Sequence, residues 1–187
     1  PPRYSKELFE NGALKYMDAF VIHPYNQEFP ESSASEIDYI HNLMKEYNNG
    51  KLIPIWATEC GFWFKDQYPG EEKTDLYGKG RLKNAVYFAR RSIIMLSRGV
   101  EKINCYLARD YDEFKSMGVF HADNSPAGSY APAPLCPVFM NLSKLFNGAV
   151  YKQTFLPENN RSGVYAYAFQ NGKEYINAIW TVYEQAE

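Results

Sequence analysis

Three short segments of this chain carry side chains that could share a reaction: His23-Pro24-Tyr25, Thr58-Glu59-Cys60-Gly61 and Arg109-Asp110-Tyr111. Together they offer the Glu59 carboxylate, an imidazole, a phenol, a guanidinium and a second carboxylate. A carboxylate surrounded by hydrogen-bond donors is held in its charged form, the state needed for nucleophilic attack or for accepting a proton. Each segment follows a compact apolar run. Ionisable groups that converge at the ends of rigid strands are the usual makings of an active site.

The runs that must position them read as buried strands. Met17 to His23 is apolar with no helical stripe and stops at Pro24, as a strand bounded by a turn does. Leu52 to Thr58 is the second, although Pro54 removes a ladder donor. Lys102 to Ala108 is the third.

Helices are expected before, between and after these runs. The first covers Ser5 to Lys15, broken at Asn11-Gly12. The second runs from a Ser35 cap to about Asn48, with Ile37, Ile40, Met44 and Tyr47 inward and Asn49-Gly50 as its stop. The third extends from Gly80 to Arg98, with Leu82, Val86, Ala89, Ile93 and Leu96 on one face and Gly99 beyond it. The last spans Pro137 to Phe146. Long loops, Gly61 to Gly78 and Arg109 to Pro134, follow the second and third strands.

Repeated strand, loop and helix imply parallel strands joined by crossovers. Neither GxGxxG nor a P-loop marks a doubly wound nucleotide-binding sheet. The pattern therefore favours about three βα units from a (β/α)8 TIM barrel, whose chemistry collects at the C-terminal ends of its strands. Three strands do not close a barrel; Ile22, Ile55 and Ile103 are expected to face its interior, and the isolated piece to be unstable or to associate. Beyond Asn147 the texture changes. Ala149–Phe155, Gly163–Phe169 and Tyr175–Thr181 read as strands, with Asn159-Asn160 and Asn171-Gly172 as turns. The expected division is 1–148, the α/β part, and 149–187, an antiparallel piece.

Composition excludes several classes. With 20 Lys+Arg against 22 Asp+Glu and a net charge of −2, the chain lacks the basic footprint of a nucleic-acid binder. At 45% hydrophobic and 22% charged it is globular and not disordered. Its apolar runs are too short for a membrane helix. Its 3 Cys form no CxxC pair and its 3 His lie far apart, which leaves little support for zinc. Aromatics make up 17%, a share that suits both packed cores and sugar-stacking surfaces; composition does not choose between them. The sequence opens at Pro1 with neither an initiator Met nor an apolar leader, so it is expected to begin inside a longer protein. Compartment stays open, secreted or periplasmic if a signal lies upstream.

Asp18-Ala19-Phe20-Val21-Ile22-His23-Pro24-Tyr25, followed after a helix by Pro54-Ile55-Trp56-Ala57-Thr58-Glu59-Cys60-Gly61-Phe62, resembles strands six and seven of clan A glycoside hydrolases, with the closest likeness to family 39 and family 5-type members. Lys102 to Asp110 is similar to the eighth strand, and Met117-Gly118-Val119-Phe120 with Asp123-Asn124-Ser125-Pro126 to the loop leading into the last helix. The piece after Asn147 looks like the start of the β-sandwich that accompanies such barrels. The resemblance covers nearly all of this chain but only the last third of a catalytic domain.

It implies a retaining O-glycosidase acting on an oligosaccharide or polysaccharide, with no metal or organic cofactor. Glu59 matches the nucleophile; His23 and Tyr25 match residues lining the subsite around it. Trp63, Phe62, Tyr106, Arg109 and Asp110 are the further candidates for substrate contact.

Two departures matter. The clan's acid/base Glu, usually in an Asn-Glu pair ending the fourth strand, has no counterpart, since Glu158 precedes Asn159-Asn160 in a polar turn. The Trp often found on the eighth strand is replaced by Cys105-Tyr106-Leu107. Activity is thus expected to need the N-terminal part of the barrel. The alternative reading is a non-catalytic carbohydrate-binding or scaffold protein with a degenerate site. Structural readings also stand beside these roles: His23 as a strand-end hydrogen bonder, Arg109 with Asp110 as a loop-bracing ion pair, and Phe62 and Trp63 as packing.

Overall fold

The computed structural model describes residues 2–25, 29–63, 79–111, 116–123, 125, 127–156 and 163–182. Most of the loop expected at Gly61 to Gly78, Glu158 and the Asn159-Asn160 turn lie outside them. The chain divides into two compact units, Pro1–Phe139 and Met140–Glu187.

In the first unit, β1 (Phe20–Ile22), β2 (Ile55–Cys60) and β3 (Val100–Cys105) form a parallel sheet in the order β1-β2-β3. Helices α1 (Pro2–Glu10), α2 (Ser33–Tyr47) and α3 (Lys79–Ser97) precede the three strands in turn. Pro54 sits just before β2, where it owes the ladder no N–H, and its carbonyl accepts from Phe20 N at 2.8 Å. Helix α2 starts earlier than its Ser35 cap would allow. A 3-10 turn, Pro30–Ser32, leads directly into it, and Ser35 Oγ donates to the Ser32 carbonyl at 2.9 Å. Gly50 N closes the far end on Lys45 O at 2.9 Å, with φ 78°, a left-handed stop suited to glycine.

Register separates the two faces of the sheet. The rows Phe20-Ile55-Val100 and Ile22-Ala57-Ile103 lie on the side the helices cover: Phe20, Ile55, Val100 and Ala57 are buried, and Phe9 of α1 packs edge-on against Phe20 at 4.9 Å. Val21, Trp56 and Lys102 form the opposite row, with Val21 47% exposed. The expectation for Ile22, Ile55 and Ile103 is thus reversed. Apolar content alone does not say which of two alternating faces meets a helix.

Helix α3 also departs from its expected face. Leu82 and Val86 are 49% and 51% exposed, whereas Arg81, Asn84, Arg91 and Ser92 are buried beside Ala85, Phe88, Ile94 and Met95. Apolar periodicity assigns Arg81, Asn84 and Arg91 to solvent. They are inside because each meets a partner far along the chain.

In the second unit, β4 (Val150–Thr154), β5 (Val164–Asn171) and β6 (Glu174–Thr181) make an antiparallel meander. Asn171 pairs with Glu174, so the turn residues are Gly172, at φ 60°, and Lys173. One face is aromatic: Trp180 stacks on Tyr165 at 5.5 Å and on Tyr167 at 5.3 Å, and Phe169 takes Phe146 edge-on at 5.0 Å.

Candidate active site

Strict alternation would place Glu59 on Ala57's helix-covered side and Cys60 on the open one. A register irregularity prevents this. Ala57 pairs with Ile103 and Cys60 with Cys105, so β2 spends one residue more than β3 over the same interval. Such a bulge re-aims the side chains beside it. Cys60 turns inward to full burial, and the Glu59 side chain remains 36% exposed.

At the end of β1 the chain bends through buried Pro24, with Tyr25 N bonded to His23 O at 2.9 Å. This bend brings two side chains to one carboxylate oxygen. Tyr25 Oη donates to Glu59 Oε2 at 2.8 Å, and His23 Nδ1 lies 3.4 Å from the same atom. His23 Nε2 is 3.0 Å from Thr58 Oγ1. Tyr106, just past β3, stands edge-on to Tyr25 at 5.7 Å, and its N–H bonds Cys60 O at 2.9 Å. Burial first, and then the bond to Glu59, raises the Tyr25 phenol well above the ordinary tyrosine range. The phenol therefore remains a donor throughout the neutral range.

Glu59, Tyr25, His23 and Tyr106 are thus assembled at one end of the sheet. Others are not. Phe62 is fully buried, edge-on to Tyr87 at 5.1 Å, with the Arg91 guanidinium 3.9 Å over its ring; it packs the core and has no face left for a sugar. Asp110 is 2% exposed, accepting from Arg81 and from Gly118 N at 2.7 Å. It braces the following loop, with Arg81 and not its neighbour Arg109 as the cation. A side chain at Gly118 would meet Asp110 N at 2.4 Å, so that approach needs glycine. Arg109 reaches Asp123 and Tyr130 instead. Trp63 is half-buried beyond the strand end.

Sequence reasoning missed Arg91. Fully buried, it donates from Nε to Ser33 Oγ at 3.0 Å and from Nη1 to Pro24 O, and its guanidinium covers Phe62. One side chain thereby ties the segment after β1 to the segment after β2. Asn84 also holds Phe62 N, accepting at 3.0 Å, and donates to Ser116 O at 3.0 Å. The available signal was a cation three residues beyond Phe88 and just before the apolar Ile93, Ile94 and Met95. Among the described residues, no group of three His, Cys, Asp or Glu side chains is placed to hold a metal ion.

Burial pushes the Cys60 thiol up to about 11. Because the folded value is raised, the stabilisation is complete below the unfolded thiol's pKa and is lost as pH climbs through about 11. Between those limits the shift corresponds to roughly 3 kcal/mol. Urea midpoints should fall between pH 8 and pH 11, and C60A should fall markedly less; equal slopes would contradict this.

No family model matches the sequence, and no curated protein matches it. Among solved structures, the chain is similar to a family 39 glycoside hydrolase from the gut symbiont Bacteroides cellulosilyticus WH2, with TM-score 0.69 and 16% identity over 95% of this chain and 36% of that one. It is also similar to the family 51 arabinofuranosidase from Xanthomonas axonopodis pv. citri, with TM-score 0.67 and 14% identity over 96% of this chain and 41% of that one. The chain shares its fold with part of each of these two enzymes. The chain spans well under half of either neighbour, and at these identities the likeness is one of fold.

Proposed function

We propose that this chain is the nucleophile-bearing portion of a retaining glycoside hydrolase and forms the last strands of a (β/α)8 barrel followed by the start of a β-sandwich. The observation that supports this most is the half-exposed Glu59 carboxylate at a parallel strand's C-terminal end, with Tyr25 donating at 2.8 Å. The fold likeness supports the same reading.

In this mechanism Glu59 attacks the anomeric carbon as the glycosidic C–O bond breaks. A second carboxylic acid, about 5–5.5 Å from the first, protonates the leaving oxygen. Water, deprotonated by that second group, then displaces Glu59 and releases the sugar. Tyr25 keeps the carboxylate oriented, and Tyr106 packs edge-on against the phenol ring. The second carboxyl comes from barrel strands that precede this chain. The free side of β1 is compatible with such strands, since it opens on an apolar cavity of about 690 Å³ lined by Val21, Ile22, Ile37, Tyr39 and Ile40.

The test is a mechanism-based 2-deoxy-2-fluoroglycoside applied to the polypeptide that carries this chain. A trapped glycosyl ester on Glu59, seen by peptide mass, is the expected result. Labelling elsewhere refutes the nucleophile assignment. Absence of labelling across aldopentosyl and aldohexosyl reagents favours the non-catalytic sugar-binding reading.

Tyr25→Phe should lower kcat/KM by roughly 10- to 100-fold, because a hydrogen bond to a charged group is worth about 1.5–3 kcal/mol. Unchanged kcat/KM would remove Tyr25 from the machinery.

A further inference from the structure

Asn-Gly occurs in the chain as Asn11-Gly12, Asn49-Gly50, Asn147-Gly148 and Asn171-Gly172. The pair is chemically weak, because glycine has no Cβ to keep its backbone nitrogen away from the preceding carboxamide carbon. The fold decides whether the two atoms can meet. Asn11 Nδ2 donates to Glu7 O at 2.7 Å, and Gly12 N to Phe9 O at 2.9 Å. Gly50 N donates to Lys45 O at 2.9 Å. Asn171 spends its carboxamide on two carbonyls, donating from Nδ2 to Leu145 O and to Asn147 O at 3.1 Å each. Asn147-Gly148 differs. The pair follows α4 (Leu135–Phe146), and both residues are exposed. Among the described residues, neither the Asn147 carboxamide nor the Gly148 N–H has a hydrogen-bond partner. Asn171 takes the Asn147 carbonyl, and a trans peptide turns its N–H the opposite way, away from that hairpin. The turn is lightly held, since Asn147 N reaches Ser143 O only at 3.3 Å. A side chain at Gly148 would meet Asn171 Oδ1 at 4.0 Å and nothing nearer outside the adjoining residues, which leaves room for a ring to close.

We propose that Asn147 is a self-modification site of the folded protein, cyclising onto Gly148 and ending as aspartate or isoaspartate, while the fold protects the other three Asn-Gly pairs. Gly148 N gives up its proton and bonds to Asn147 Cγ. The Cγ–Nδ2 bond breaks, and that nitrogen leaves with the proton as ammonia. One water then opens the succinimide at either carbonyl, so a carboxylate replaces the carboxamide. Water is the sole co-reactant. The new charge stands at the C-terminal end of α4, where the helix already presents the negative end of its dipole. The route to isoaspartate also carries the backbone through the side-chain carbons. It turns the peptide carbonyl that Asn171 binds into part of a free carboxylate, and so rebuilds the junction between α4 and the β5–β6 turn.

The test incubates the polypeptide that carries this chain at mildly alkaline pH, in buffer and separately in concentrated urea. Peptide mapping follows, at each Asn-Gly pair, the rise in mass that replacing NH2 by OH produces. In buffer Asn147 is expected to react at least about tenfold faster than Asn11, Asn49 or Asn171, because each of those must first break the bonds that hold it. In urea those bonds are gone and the four rates should converge. Asn147→Gln should remove the product formed in buffer and leave the melting temperature unchanged, since the side chain is exposed and bonds no other described residue. Equal rates in buffer, another site in the lead, or no modification at Asn147 overturns the proposal. So does a lead for Asn147 that persists undiminished in urea, because local sequence and not the fold would then account for it.

Discussion

Glu59→Ala lowers turnover by roughly 10⁴- to 10⁶-fold, the range seen when an enzyme loses its nucleophile. The substitution removes the atom that forms the bond to the anomeric carbon, and neither Tyr25 nor His23 can replace it as a carboxylate. It leaves the fold intact, because the Glu59 side chain is 36% exposed and its removal opens a space that water fills. A melting temperature close to wild type is therefore part of the expectation. Azide added to the variant should restore partial turnover by entering the vacated space. It yields a glycosyl azide of the anomeric configuration opposite to the wild-type product, since one displacement replaces two. The measurement is product configuration by proton NMR. Residual activity near wild type, or rescue without the change of configuration, would remove Glu59 from the role of nucleophile.

The second large effect falls on stability. Arg91→Ala should destabilise the fold by about 2–6 kcal/mol, about 1–3 kcal/mol for each of two buried acceptors left unpaired, against a total that for ordinary domains is only about 5–15 kcal/mol. The reason is what the truncation leaves behind. Pro24 O and Ser33 Oγ lose their donor inside the core, and the Phe62 ring loses the cation above it. Replacing a buried charge by an apolar residue can be neutral when its partners leave with it; here they remain. Arg91→Lys keeps a charge but loses the planar fork that serves several partners at once, so it should rescue only part of the loss. Chemical denaturation of the three proteins checks this, and an Arg91→Ala midpoint equal to wild type contradicts it. Because Pro24 lies between His23 and Tyr25, the lysine variant should also loosen the Tyr25–Glu59 contact.

The fates of the candidate residues show where local reading works. His23, Tyr25 and Glu59, which the structure brings together, each lie at the end of an apolar run, and a strand's end is a local property of the chain. Tyr106 entered through the resemblance to the eighth strand and not as a strand end; β3 stops at Cys105, which leaves Tyr106 just past it and edge-on to Tyr25. Phe62 and Asp110 were misplaced for the opposite reason. Nothing within a few residues of Phe62 announces that Arg91 and Asn84 will close over it, and Asp110's cation is supplied from α3. Helix α3 is the sharpest case: its length and ends were legible, yet the buried face carries Arg81, Asn84 and Arg91 while Leu82 and Val86 face outward.

Local pattern was enough for the order of strands and helices, for the hairpin at Asn171–Glu174 and for the groups that close β1 and β2, but not for β3, which stops at Cys105, short of Arg109. Periodicity and turn chemistry act within a few residues and leave a readable trace. It took packing in three dimensions to show that a bulge swaps Glu59 and Cys60 between faces, that Tyr25 meets Glu59 34 residues away, and that Arg91 bonds Pro24 across 67. The burial of a polar group depends on a partner that pairs with it in space, and no local pattern records that partner.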